Sequence, residues 1–224
     1  MVLLTPGFID LFISTYRVPE EYRQKFVAIN NPLSYPYSPR TDSIVGKENE
    51  VLVVSRFDEA VKRLSIVFKI WKKLQASGKY PDWKLRIVGY GESENYYKKL
   101  VKKLGLRNVF FEGKREPLDY YRRASIFPMT SAFEGFPMSL TEAMQNGVVP
   151  VVFDTFHSLH EIVADGSSGF IVTDKDIKGY TEKLELLMSD DKLRQEMARN
   201  AIRDMEKFSV ENTILRWEKL FAEE

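Results

Sequence analysis

Two glutamates eight positions apart, Glu134 and Glu142, flank a segment that predicts the start of a helix. Pro137 favours this start, because the fixed φ and missing N–H of proline suit the first helical position. The free N–H groups of a helix N-terminus attract phosphate. Glu142, about one turn into the helix, would accept hydrogen bonds from a diol such as ribose, and Glu134 would reach the other side of the phosphate. The pattern therefore indicates a nucleotide-sugar site, although two solvated glutamates on a helix surface would show the same spacing.

Two cations, Arg56 and Lys62, lie at the predicted end of a strand and at the start of the next helix. In an open α/β sheet, ligands bind beyond the carboxyl ends of the strands. A planar guanidinium and a point-charge ammonium placed there would both face a bound phosphate. The alternative is that Lys62 and Arg63 simply begin an exposed helix and are solvated.

The turn Gly89-Tyr90-Gly91 follows a predicted strand, as glycines do in dinucleotide-binding turns, but Glu94 stands where a third glycine is needed. A tight turn from strand to helix explains the two glycines equally well. A nicotinamide-dependent oxidoreductase is therefore a weakly supported alternative.

Two patterns resemble metal sites. Asp174 and Asp176 form an Asp-x-Asp pair like that of metal-dependent sugar transferases, yet an Asp beside a helix start is more often an N-cap. His157, His160 and Glu161 lack the H-E-x-x-H order and an obvious third ligand. We therefore expect neither a metal site nor a metal cofactor.

Composition narrows the class of protein. The chain has 224 residues and a formal charge of +1, which gives no reason to expect a nucleic-acid partner or strong attraction to a membrane. No apolar run approaches the ~20 residues of a membrane span, and the first residues lack the basic region and cleavage site of a secretory signal. The absence of cysteine excludes disulfides and thiolate chemistry. We expect a cytoplasmic protein without a transmembrane segment.

The elements that must position these side chains follow from hydrophobic periodicity. From residue 51 onward, short apolar runs alternate with helical spacing, which predicts βα units and a parallel sheet. The fold class predicted is α/β, a Rossmann-like doubly wound parallel sheet. We predict a domain over residues 46–224. Residues 1–45 differ: a possible strand and two helical patches precede a turn-rich stretch at 30–39, so this part is interpreted as the end of another domain and a linker.

Through these motifs together, the chain resembles the C-terminal, donor-binding domain of retaining GT-B glycosyltransferases of the group 1, or family 4, type. The resemblance covers about residues 48–222. It is carried by the segments Val54–Arg63, Trp83–Gly91, Val109–Gly113, Thr130–Val152 and Glu161–Val172, and by Phe208-Ser209 followed by Trp217.

The resemblance implies a role for each matching residue. Arg56 and Lys62 would hold the diphosphate and stabilise the leaving nucleoside diphosphate without a metal, and Glu134 would bind hydroxyls of the donor sugar. Donor binding would also involve the residues Gly113, Lys114, Gly135, Phe136, Pro137, Met138 and Glu142. Among these residues, the loop after Gly113 would lie by the base of the donor nucleotide, and Glu142 would bind its ribose.

The resemblance also implies a retaining, metal-independent transfer from a UDP- or GDP-sugar to a glycan or lipid-linked acceptor, as in polysaccharide biosynthesis. The family's N-terminal domain, which supplies the acceptor pocket, has almost no counterpart in this sequence. We therefore expect the chain to be inactive alone, and to reach the inner face of a membrane, if at all, through that other domain. The alternative is a non-catalytic nucleotide-sugar-binding or interaction module. In that case, apolar residues of the last helices would dock a partner.

Overall fold

The computed structural model describes residues 1–39, 41 and 44–222. Its centre is a six-stranded, wholly parallel sheet in the order β5-β4-β3-β6-β7-β8. These strands are Glu50–Val54 (β3), Lys84–Val88 (β4), Val109–Gly113 (β5), Ile126–Met129 (β6), Val149–Asp154 (β7) and Phe170–Thr173 (β8). A separate two-stranded parallel sheet joins Val2–Leu3 (β1) to Val27–Ala28 (β2).

Helices connect the strands and cover both faces of the large sheet. They are Pro6–Tyr16 (α1), Glu59–Lys62 (α2), Leu64–Ser77 (α3), Glu94–Leu104 (α4), Leu118–Arg123 (α5), Met138–Gln145 (α6), Leu159–Ile162 (α7), Ile177–Ser189 (α8), Asp191–Asp204 (α9) and Val210–Ala222 (α10). Short 3-10 helices span Glu20–Lys25 and Met205–Phe208.

The core is divided by the sheet into two layers. Val51 and Val53 of β3 pack with α3, α4 and α8 on one face, whereas Leu52 between them packs with α5 and α6 on the other. Successive side chains of a strand point to opposite faces, so a strand covered on both sides is apolar throughout. This explains why the inner strands β3, β6 and β7 are largely continuous apolar runs, whereas β4 alternates apolar side chains with Lys84 and Arg86.

The strand order reverses between β3 and β6. The chain proceeds outward from β3 through β4 to β5, and then returns to place β6 on the other side of β3. The predicted Rossmann-like doubly wound sheet is therefore confirmed, and β3/β6 is its topological switch point.

Element boundaries agree with the periodicity to within a few residues. The strand predicted before the turn at Gly89 is present and ends at Val88, and Gly105 ends α4 in the left-handed conformation that favours glycine. The prediction that a helix starts at Pro137 was wrong by one residue. Pro137 has an extended ψ of 99° and is the N-cap, so its carbonyl accepts from Leu140 and Thr141 while the helix starts at Met138.

The predicted division at residue 45 stays a prediction. Residues 40, 42 and 43, in the predicted remnant and linker, and residues 223 and 224, at the end of the predicted domain, lie outside the described residues. Over the described part of the chain, no helix combines the length and the apolar character needed to cross a bilayer.

Candidate functional site

A cavity of about 550 Å³ opens at the carboxyl ends of β3 and β6, at the switch point of the sheet. Four of the predicted site residues line it: Arg56, Lys62, Lys114 and Glu134. Arg115 lines it as well, so four cations surround a single carboxylate, that of Glu134. Such a wall favours an anion with several negative charges.

Lys62 and Glu134 meet directly across this cavity. The Lys62 Nζ donates to Glu134 Oε1 at 2.5 Å, and the two side chains are only 21% and 12% exposed. Lys62 is the last residue of α2, a one-turn helix capped by Asp58, whose carboxylate accepts from the Val61 N–H at 3.3 Å. Partial burial strengthens the attraction between the two charges, because less water screens them.

Arg63 fixes the loops that carry this pair. Its guanidinium donates to the carbonyls of Thr130 and Ser131 at 2.7 and 2.9 Å and pairs with Asp174 at 2.8 Å. Thr130 returns a hydrogen bond from its hydroxyl to the Lys62 carbonyl at 3.0 Å. The loop after β6 is therefore attached to the junction of α2 and α3.

The backbone of Arg63 is itself unusual. Its φ of 50° and ψ of 40° place a residue with a Cβ in the left-handed region. Such a conformation costs about 1–2 kcal/mol and persists where surrounding contacts hold it. From sequence, Arg63 was considered only as a solvated charge at a helix start, because no local pattern relates it to Thr130, Ser131 or Asp174. We call these contacts of Arg63 the clamp.

Arg56 and Lys114 form the outer wall of the cavity. Arg56 is 69% exposed and pairs with Asp58 at 3.1 Å, so its guanidinium remains open to solvent. Lys114 Nζ lies 4.9 Å from the ring centre of Tyr90, in a cation–π contact. Tyr90 belongs to the turn after β4 and lines the same cavity.

The glycines on either side of Tyr90 are required by close packing. A Cβ on Gly89 would lie 1.8 Å from the Ser55 carbonyl oxygen, and one on Gly91 would lie 2.5 Å from the Phe57 carbonyl oxygen. Both glycines also have positive φ, at 144° and 156°. The structure thus supports the tight-turn interpretation of these glycines, because the turns after β3 and β4 touch through their backbones.

Glu142 lies on α6 but not on the cavity wall. Its two carboxylate oxygens accept from the Ser34 hydroxyl at 2.5 Å and from the Tyr121 hydroxyl at 2.9 Å. Burial raises the pKa of Tyr121 well above its ordinary value, and the charge of Glu142 adds to the effect. Glu142 is therefore held between α5 and the segment around Ser34 rather than facing the pair at Lys62.

Five other predicted donor-binding residues are also absent from the cavity wall, namely Gly113, Gly135, Phe136, Pro137 and Met138. Phe136 is buried and its ring packs against Phe208 at 5.3 Å. The α6 residue on the wall is Ser139. The structure thus brings together four of the ten predicted residues, and the roles assigned to all ten stay predictions.

The residues of the two patterns that resembled metal sites make other contacts in the structure. Asp176 caps α8 by accepting from the Gly179 N–H at 2.9 Å, which confirms the N-cap interpretation, and Asp174 pairs with Arg63. His160 contacts Asp154 at 3.0 Å, and His157 packs edge-on against Phe8. Among the described residues, no group of three His, Asp or Glu side chains is arranged to hold a metal ion.

Comparison with known proteins identifies related sequences. The family of glycosyl transferases group 1 matches residues 38–204. An uncharacterized glycosyltransferase of Haemophilus influenzae is 29% identical over 76% of this chain and 48% of its own length. The poly(glycerol-phosphate) alpha-glucosyltransferase of Bacillus subtilis is 28% identical over 87% of this chain and 29% of its own length.

Solved structures show the same fold. TarM of S. aureus, in a complex with UDP, superimposes with a TM-score of 0.84 at 22% identity, covering 98% of this chain and 43% of TarM. The pneumococcal O-GlcNAc transferase GtfA, in complex with UDP and GlcNAc, gives 0.85 at 18% identity, covering 99% and 44%. The chain spans less than half the length of each of these four proteins.

Proposed function

The chain belongs to the glycosyl transferases group 1 family and has the fold of a GT-B C-terminal domain, and from this we propose that it binds the sugar donor of a glycosyltransferase. The donor is a nucleoside diphosphate sugar, with UDP or GDP as the nucleotide. The reaction transfers the sugar to a glycan or lipid-linked acceptor with retention of configuration and without a metal ion.

The observation that carries this proposal is the pair of Lys62 and Glu134 across a cavity with three further cations. When the bond between sugar and phosphate breaks, negative charge develops on the leaving diphosphate. Lys62 and Arg56 would stabilise this charge without a metal, since preorganised cations act most strongly where charge develops. Glu134, beside Lys62, would accept hydrogen bonds from sugar hydroxyls and keep the sugar next to the diphosphate.

The arrangement also supports one orientation of the donor. Tyr90 and Lys114, on the outer wall, offer an aromatic face and a cation to a base, while Glu134 lies at the inner end of the cavity. In this pose the diphosphate lies between them, against Lys62. The ribose role of Glu142 requires that a ribose hydroxyl replace the hydroxyl of Ser34 at the carboxylate.

The acceptor is assigned by family relationship. Relatives are named as transferring glucose to poly(glycerol-phosphate) and N-acetylgalactosamine to an undecaprenol-linked glycan. For this chain we propose only the class of acceptor that these relatives share, which is a glycan or lipid-linked acceptor used in polysaccharide biosynthesis. The reaction would take place in the cytoplasm, where nucleotide sugars are made.

Calorimetric titration of the chain with UDP, GDP and ADP, each with and without EDTA, tests the proposal. We expect one nucleotide to bind selectively, with an affinity that EDTA does not change and that Arg56→Ala lowers. Arg122→Ala is the matched control, because Arg122 is also an exposed arginine paired with a nearby aspartate, at 3.2 Å. No binding of any nucleotide, or equal loss in both variants, would contradict the assignment.

A non-catalytic nucleotide-sugar-binding module would give the same titration. The two functions differ in turnover, so the second experiment supplies the N-terminal half of a relative in trans together with the donor that binds. Sugar transfer supports the enzyme, and donor binding without transfer supports the module.

A further inference from the structure

Two neighbouring helices, α3 and α4, carry a concentration of positive charge that the overall composition conceals. Together they contain seven lysines and a single acidic residue, Glu94, and hence a net charge of +6. The whole chain carries +1, so all the remaining residues together carry −5. The small net charge is therefore an average over two unlike parts of the molecule.

All seven lysines lie on the outer sides of these helices. They are exposed, whereas the intervening Phe68, Trp71 and Tyr97 are buried against the sheet. The lysines are Lys69, Lys72 and Lys73 on α3 and Lys98, Lys99, Lys102 and Lys103 on α4. Spacings of three and four residues put the three lysines of α3 on one stripe of the helix.

The two helices pack beside each other in one layer of the fold. Packed helices lie about 8–10 Å apart, and at ~1.5 Å per residue α3 is roughly 21 Å long and α4 roughly 16 Å. We call the surface formed by the seven lysines the lysine face. It is a nearly flat basic patch on the outside of the domain, on a different surface from the cavity at the switch point.

The charges of the lysine face are almost entirely uncompensated. Lys98 pairs with Glu94 at 2.6 Å, and the other six lysines form no ion pair with any described residue. Like charges that stand close together without partners repel one another. Their repulsion is relieved when an anionic surface approaches, so this face fits a partner of opposite charge.

We infer that the lysine face docks the protein on an anionic membrane surface, through the phosphates of lipid headgroups. Clusters of four to eight basic residues are typical of binding to anionic lipids, with about 1 kcal/mol for each residue near the surface. Lysine presents a hydrated point charge, whereas bidentate phosphate recognition favours arginine. Neither helix contains an arginine, so the face suits laterally mobile headgroups rather than a fixed phosphate site.

A nucleic acid fits the same face less well. Single strands are bound in grooves where bases stack on aromatic side chains. The lysine face is nearly flat, and its one exposed aromatic side chain among the described residues of α3 and α4 is Tyr96, at 48%. A tyrosine at the edge of a basic patch is instead suited to the headgroup region of a bilayer.

Sedimentation with lipid vesicles tests the inference on the whole chain. Vesicles of phosphatidylcholine alone are compared with vesicles that also contain anionic phosphatidylglycerol. We expect binding only to the anionic vesicles, and release when salt is raised from about 0.1 M to about 1 M, since the screening length falls from roughly 10 to 3 Å. No binding to anionic vesicles at the lower salt would overturn the inference.

A triple variant locates the binding on α3. Replacing Lys69, Lys72 and Lys73 with Gln should lower partitioning by roughly five-fold for each lysine, on the order of a hundredfold together. The control replaces three exposed lysines elsewhere, Lys175→Gln, Lys178→Gln and Lys192→Gln, and changes the net charge by the same amount.

The control variant should retain most of the binding. An equal loss in both variants would mean that net charge rather than the lysine face drives association, and would overturn the assignment. A single-stranded RNA that binds the chain when vesicles do not would overturn it in favour of a nucleic acid. The triple variant is expected to bind nucleotide with unchanged affinity, so that the vesicle result is independent of the donor site.

Discussion

The ammonium of Lys62 lies 2.5 Å from the carboxylate of Glu134, although 72 positions separate the two residues in sequence. Each side chain is mostly buried, so each is the principal electrostatic partner of the other until a ligand enters the cavity. A bound diphosphate would compete with Glu134 for Lys62, and a sugar hydroxyl would take the place of the ammonium at Glu134.

This competition predicts opposite effects for the two residues. Lys62→Ala should weaken binding of the selected nucleoside diphosphate at least tenfold, because a hydrogen bond to a charged group contributes about 1.5–3 kcal/mol. Glu134→Gln should leave that affinity unchanged or raise it, while removing the extra affinity that the attached sugar provides. Calorimetry with the nucleotide and the nucleotide sugar measures both. Equal weakening of both ligands by Glu134→Gln would contradict the assignment of Glu134 to the sugar.

Arg63 is expected to position Lys62 without touching the ligand. Arg63→Gly removes the contacts to Thr130, Ser131 and Asp174, and should lower the free energy of unfolding by about 2 kcal/mol and nucleotide affinity severalfold. Lys175→Gly is the matched control, because Lys175 also has a positive φ, of 65°, in an exposed turn.

The control variant, Lys175→Gly, should gain up to about 1 kcal/mol of unfolding free energy, because glycine relieves the strain of the left-handed backbone. Urea unfolding measures the free energy of unfolding, and calorimetry measures nucleotide affinity. If Arg63→Gly lost stability but kept full nucleotide affinity, the clamp would be purely structural.

The two hydroxyls on Glu142 predict changes of opposite sign. Ser34→Ala frees a carboxylate oxygen for ribose and should raise nucleotide affinity a few-fold. Tyr121→Phe removes the hydrogen bond that orients the carboxylate and should lower nucleotide affinity. Each change in binding free energy should be about 0.5–1.5 kcal/mol. Comparing the nucleotide with its 2′-deoxy form provides the control. If Glu142→Gln discriminated between the two forms as strongly as the unmodified chain, Glu142 would not contact the ribose 2′-hydroxyl.

Gly89 and Gly105 provide a test of backbone packing. Both have positive φ, but a Cβ on Gly89 overlaps the Ser55 carbonyl, while one on Gly105 meets nothing within 4 Å. Gly89→Ala should therefore cost more than about 4 kcal/mol of unfolding free energy. Gly105→Ala should cost only about 1 kcal/mol, for the left-handed backbone. Similar unfolding midpoints in urea for the two variants would rule out the close approach at Gly89.

Glu161 predicts a pH dependence of stability. Burial raises the pKa of its carboxyl above 4.5. Between pH 4.5 and the folded pKa, the folded protein therefore holds a proton that the unfolded chain has released, and stability falls as pH rises through this range. Glu161→Gln removes this contribution, so the variant should gain stability relative to the unmodified chain from pH 4.5 to 7 in urea unfolding. Glu196→Gln, at an exposed site on α9, should not.

Much of the fold could be predicted from sequence because it depends on local patterns. The apolar run at 51–54 and the helical spacing of Leu64, Phe68 and Trp71 each identify an element without knowledge of its neighbours. The doubly wound sheet follows from the alternation of such elements. Family membership follows from motifs that keep their order along the chain.

The candidate site was only partly predictable. Arg56, Lys62, Lys114 and Glu134 line one cavity, because the carboxyl ends of parallel strands meet at one edge of the sheet, and their roles stay predictions. Glu142 was expected to bind the ribose attached to that phosphate, and this role stays a prediction, whereas the hydroxyl donors that its carboxylate has in the structure were not predicted. Those donors are Ser34 and Tyr121, from segments that no local pattern relates to α6.

The sequence by itself determined which residues form strands and helices, which cations follow β3, and to which family the chain belongs. The tertiary structure alone decided that Lys62 faces Glu134, that Arg63 joins their loops, and that the lysines of α3 and α4 share one surface. The physical reason is that propensity and periodicity act over a few residues. Ion pairs and hydrogen bonds between loops instead depend on strand order and loop path, which bring together groups that lie 60 to 110 positions apart.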